Sequence, residues 1–71
     1  MAGGENIAIG YSCPAEVMNG WMNSKGHRNN ILNPNFHYVI VGCIDLPEGN
    51  PYYNHGSGRA WVQLFIYDRY L

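Results

Sequence analysis

Two short runs of residues govern what this chain can become. Tyr38-Val39-Ile40-Val41-Gly42-Cys43-Ile44 and Trp61-Val62-Gln63-Leu64-Phe65-Ile66-Tyr67 are nearly unbroken strings of β-branched, aromatic and aliphatic side chains. A strand wetted on one side alternates apolar with polar residues, whereas one apolar at successive positions asks for cover on both faces. The expectation is a layered α/β arrangement with strands over 36–44 and 59–67. The segment between them, 45–58, holds three glycines, two prolines and two asparagines and reads as a long exposed connection. Neither run approaches the roughly 18 apolar residues of a membrane-spanning helix.

The cover must come from the residues before the first run. Pro14 suits the first position of a helix, where its missing N–H is no loss, and Glu16 falls near the positive end of the helix dipole. Either Ser12 or Cys13 occupies the cap. Val17, Met18, Trp21 and Met22 then make one apolar stripe, and Gly20 inside it predicts close packing against another element. Gly26 reads as the residue just past that helix. A short second helix is expected over 27–32, ended by Asn33-Pro34. Upstream, the glycines around Glu5 imply turns, while Ile7 and Ile9 imply a short alternating extended segment.

Composition excludes several classes. With 46% hydrophobic and 14% aromatic residues the chain has surface it must bury, so disorder is excluded. Only 13% of residues are charged, against about 25% in average domains. A net charge of −1 with no basic run argues against nucleic-acid binding and against recruitment to anionic membranes. No basic segment followed by an apolar stretch opens the chain, so no signal peptide is read here. A 71-residue single domain is hard to stabilise, since cores of this size supply about 3–5 kcal/mol. Cys13 and Cys43 allow one disulfide, closing a loop of roughly 30 residues worth roughly 3–4 kcal/mol. The alternative is two reduced thiols packed as small hydrophobes.

Few groups can do chemistry. The candidates are His27, His37 and His55 with the carboxylates Glu5, Glu16, Asp45, Glu48 and Asp68, and none falls in a nucleotide-binding, zinc-protease or serine-hydrolase motif. By itself His27 reads as a histidine bonded to a nearby carbonyl, and Glu5 as a carboxylate accepting backbone N–H groups in a turn. Gln63 is expensive in a buried strand unless its amide cross-links backbone or faces a cavity. Trp21 and Trp61 read first as core.

Three segments in order resemble a known family. Gly4-Glu5-Asn6-Ile7-Ala8, then Trp21-Met22-Asn23-Ser24-Lys25-Gly26-His27-Arg28-Asn29-Asn30-Ile31-Leu32-Asn33-Pro34, then Trp61-Val62-Gln63-Leu64-Phe65 look like the microbial form of the CAP superfamily, or SCP domain. The superfamily includes cysteine-rich secretory proteins, antigen 5 and plant pathogenesis-related proteins. The resemblance implies an α+β fold, an α–β–α sandwich around a small, mostly antiparallel sheet, with a central cleft. Here that cleft is expected to be lined by Glu5, Asn6, Trp21, Ser24, His27 and Gln63. Relatives with two His and two Glu can hold a divalent metal such as zinc. In this chain the second Glu falls near Ser24 and one family His falls at Ala60. Glu5 and His27 are what remains, and zinc typically takes three or four protein ligands. No cofactor is therefore expected.

The resemblance further implies that 1–71 is one partial domain lacking the family's first helix, with one sheet face exposed. It implies a secreted, extracellular binding module for a lipid, sterol or cell-envelope component. The alternatives are an incomplete domain without activity of its own, and a weak hydrolase using Glu5 and His27 as acid/base pair; binding is favoured over catalysis. An exposed face would recruit a second copy of the chain or the missing N-terminal segment.

Overall fold

The computed structural model describes residues 3–67. Met1 and Ala2 of the opening segment and the candidate carboxylate Asp68 lie outside that range. The elements run β1 (Gly3–Ile9), α1 (Pro14–Met22), α2 (Lys25–Leu32), β2 (Tyr38–Asp45) and β3 (Arg59–Ile66). The strands form one sheet in the order β1-β3-β2, antiparallel throughout. This is the α+β class with a small antiparallel sheet, as expected. Neither helix, at nine and eight residues, is long enough to cross a membrane.

Strand alternation and the register divide the residues between two faces. Asn6 stands opposite Gln63 and Ala8 opposite Trp61, and this face carries the helices. Val17 and Trp21 from α1 pack with Trp61 to form the core, flanked by Ala8, Tyr11 and Ile31. The tryptophans are therefore core residues with satisfied indoles: Trp21 Nε1–H donates to Ile7 O at 3.4 Å and Trp61 Nε1–H to Tyr11 O at 2.8 Å. Of the expected α1 stripe, Val17 and Trp21 are buried while Met18 is partly exposed. Gly20 is needed for close packing, since a Cβ there would lie 2.5 Å from Tyr11 Cζ.

Several expectations are corrected. Glu5 lies in an extended strand. Gly3, at the head of that strand, is required by close approach to the neighbouring strand: a Cβ there would sit 2.7 Å from Phe65 O. Gly26 does not follow α1 but lies in the first turn of α2. The Asn23 backbone and side-chain N–H groups both return to Asn19 O, ending α1 early enough for α2 to begin at Lys25. Cys13 is the cap residue of α1 without a side-chain cap bond, and Ser12 turns to Glu16 instead. Strand β2, expected to be covered on both faces, is covered on neither: Tyr38, Ile40, Val41 and Ile44 are 52%, 55%, 61% and 62% exposed. It is the edge strand beyond β3, and the helices rest over β1 and β3.

The 46–58 connection is a chain of turns closed by Leu46 N–H donating to Gly58 O at 2.8 Å. It is tied to the end of β1 where Ser57 N–H meets Gly10 O at 3.0 Å; Gly10 and Gly56 both have positive φ there.

Candidate functional site

The most buried polar group in the described residues is the Asn6 side chain, with no solvent exposure. It is in β1 because the register puts it on the helix face, and an amide buried there must be satisfied. Its Nδ2 donates to His27 O at 3.1 Å and to Gln63 Oε1 at 3.2 Å, and its Oδ1 accepts from Asn30 Nδ2 at 3.0 Å. Asn30 also donates to Glu5 O at 3.1 Å, and Gln63 Nε2 donates to Met18 Sδ at 3.5 Å. Gln63 thus neither cross-links backbone nor faces a cavity. It joins a side-chain network that pins both helices to the sheet. Asn30 went unnoticed in the sequence; its signal was its place one helical turn after His27 on the face turned to β1.

The expected cleft residues divide accordingly. Asn6, Gln63 and Trp21 are interior. Ser24 and His27, at the corner between α1 and α2, are half-buried and in contact: His27 Nδ1 lies 2.8 Å from Ser24 Oγ. Which of the two groups donates depends on the histidine tautomer. Glu5 is elsewhere. Opposite Leu64, it projects from the sheet face away from the helices, exposed, so it does not meet His27. Those two residues do not form a metal-binding pair, and among the described residues no three His, Cys, Asp or Glu converge.

Apart from Glu5, the helix-free face is apolar among the described strand residues. Ile7, Ala60, Val62 and Ile44 border a groove of about 260 Å³ floored at Gly42, which contributes no side chain to fill it. Around it Tyr38, Ile40 and Leu64 stand open to solvent.

At the start of α1, Ser12 Oγ donates to Glu16 Oε1 at 2.5 Å and Cys13 Sγ to the same oxygen at 3.3 Å. These bonds, Ser12's first, hold the exposed Glu16 carboxyl below its ordinary range. The Cys13–Cys43 bridge is not formed. Both thiols are free, Cys13 at the α1 cap and Cys43 on the uncovered strand β2.

The profile of the CAP, or cysteine-rich secretory protein, family matches residues 1–65. Two proteins of Bacillus subtilis (strain 168) are similar to the chain. "Uncharacterized protein YkwD" is 49% identical over 63 residues, covering 89% of this chain and 20% of that protein. "Uncharacterized membrane protein YlbC" is 36% identical over 58 residues, covering 82% and 15% respectively. The chain therefore spans about a fifth or less of the length of these relatives. No solved structure matches significantly.

Proposed function

Because the chain belongs to the CAP family of cysteine-rich secretory proteins, we propose that it is part of an extracellular module that binds an apolar ligand on the open face of its sheet. The observation that carries this reading is the groove beside Gly42, bordered by Ile7, Ala60, Val62 and Ile44. Ligand sites are mostly apolar and concave, and contiguous apolar surface seldom stays bare in water. The groove is small for a whole ligand, so it fits one end of a lipid or sterol, the remainder lying along Ile40 and Leu64. That one relative is named a membrane protein agrees with a ligand drawn from the cell envelope. The reading requires no turnover and no metal.

The test is a titration with a fluorescent sterol, read by energy transfer from Trp61, whose strand borders the groove. Saturable transfer below about 1 mM is expected, and Ile44→Lys should abolish it. Ile44 is 62% exposed, so that substitution leaves the fold in place. Non-saturable transfer, or equal transfer in Ile44→Lys, defeats the proposal.

The uncovered strand β2 favours a second reading, in which the chain is a partial domain whose open face is closed by a further segment or a second copy. A thermal melt followed by circular dichroism separates the two. A cooperative transition in the monomer opposes the partial domain, and a broad, non-cooperative one supports it.

A further inference from the structure

The corner between α1 and α2 brings together a hydroxyl and an imidazole that the binding reading does not use. Ser24 is the cap residue of α2, in extended conformation at φ −111° and ψ 122°. A serine there ordinarily turns its hydroxyl to an N–H of the first helical turn. Ser24 makes no such bond, and its Oγ lies instead 2.8 Å from His27 Nδ1.

Both ends of the pair are held by backbone. Ser24 N–H donates to Trp21 O at 3.2 Å, and Ser24 O accepts from Arg28 N–H at 2.8 Å. Arg28 Nη1 in turn donates to Met22 O at 3.1 Å, closing the corner. His27 O accepts from the fully buried Asn6 at 3.1 Å, which fixes the first turn of α2 to the sheet. The hydroxyl and the ring are therefore positioned by the core network while remaining only half-buried. Gly26 leaves the adjacent surface clear, since a Cβ there would meet nothing within 4 Å.

The other two serines provide an internal contrast. Ser57 Oγ donates to Tyr11 O at 2.7 Å and Ser12 Oγ donates to the Glu16 carboxylate. A peptide carbonyl cannot take a hydroxyl proton, and a carboxylate held below its ordinary range is a weak base. A neutral imidazole accepting at Nδ1 takes that proton readily, and a serine beside such a base is the arrangement of an activated nucleophile.

We propose that Ser24 and His27 form a nucleophile–base dyad that accepts an acyl group from small activated esters. As Ser24 Oγ bonds the acyl carbon, its proton passes to His27 Nδ1. The bond from that carbon to the alcohol oxygen breaks, and the departing oxygen takes the proton from Nδ1, leaving acyl-serine and free alcohol. Water then attacks the same carbon, gives its proton to Nδ1, and the carboxylic acid leaves as Ser24 recovers the proton. The activity is independent of the groove on the opposite face.

The probe is p-nitrophenyl acetate on the full chain, with the acetylated residues located by peptide mass spectrometry. Acetylation at Ser24 should exceed that at Ser12 and Ser57 by at least about 100-fold, the lower range for a positioned general base. His27→Ala should lose this excess, and added imidazole should restore it at Ser24 while circular dichroism shows the fold unchanged. Ser24→Ala should remove the rapid release of p-nitrophenol. Equal acetylation of the three serines overturns the proposal. So does an adduct on His27 itself that persists in Ser24→Ala, or a Ser24 excess that survives His27→Ala.

Discussion

Replacing Asn6 should destabilise this chain more than removing any exposed aliphatic side chain of β2. In Asn6→Ala, Gln63 Oε1 loses its hydrogen-bond donor in a residue only 7% exposed, while Asn30 keeps its bond to Glu5 O. An orphaned buried acceptor costs about 1–3 kcal/mol, and the lost bonds to His27 O and from Asn30 bring the expected total to about 2–4 kcal/mol. Against a stability of about 3–5 kcal/mol for a core of this size, that removes about two-fifths or more. The melting temperature should fall by roughly 10–30 °C. Ile40→Ala, at a position 55% exposed, should change stability by less than about 1 kcal/mol. Asn6→Asp adds a test of sign. The introduced carboxylate keeps the bond from Asn30 but cannot donate to His27 O or Gln63 Oε1, and burial against two acceptors raises its folded-state pKa above the unfolded value. Its penalty is full above the folded pKa and is relieved as pH falls through that value, so the gap from wild type should narrow toward acid. The assay is thermal melting by circular dichroism at neutral pH and near pH 4. Equal losses in Asn6→Ala and Ile40→Ala, or an Asn6→Asp gap independent of pH, would refute the network.

Gly20→Ala gains about 1 kcal/mol of helix propensity but drives a methyl into the Tyr11 ring, so urea denaturation should show net destabilisation of about 1–3 kcal/mol. Glu16, held low by Ser12 and then Cys13, contributes stability that is present above the ordinary carboxylate range and lost as pH falls through its lowered value. In Ser12→Ala, an NMR titration of the Glu16 carboxyl should move up toward the ordinary value; an unmoved titration contradicts the Ser12 bond. Both thiols should react with a disulfide reagent in the native chain, Cys43 faster than Cys13 because it is the more exposed. An unreactive pair would show them bridged.

The elements were legible because each carries its own local cause. Pro14 opens α1, Asn33-Pro34 closes α2, and the apolar runs define β2 and β3 within two residues. Glu5 and Ser24 were not legible, for opposite reasons. Whether Glu5 points toward the helices depends on strand register: with Asn6 opposite Gln63, Glu5 must face away, and a one-residue slip would exchange the two. Ser24 and His27 are only three positions apart, but their contact requires the chain to leave α1 at Asn23 and enter α2 at Lys25. The glycine at 26 disguised that junction by resembling a helix end.

Strand β2 shows where a hydrophobic pattern stops being informative. Successive apolar residues report that a strand is meant to be covered on both faces, yet say nothing about which residues do the covering. Here α2 is held over β1 by Asn6 and Asn30, and α1 by Trp21 donating to Ile7 O, hydrogen bonds with fixed geometry that keep the helices from sliding outward to shelter β2. The helices therefore stay where these bonds place them, and Val41, on the helix face opposite Gln63, remains 61% exposed. On the proposed readings, cover for that strand and for the groove beside Gly42 comes from additional mass, as ligand, further chain or second copy. Moving α2 outward over β2 would break the bonds from Asn6 and Asn30 that orient it, and Ser24 and His27 with it.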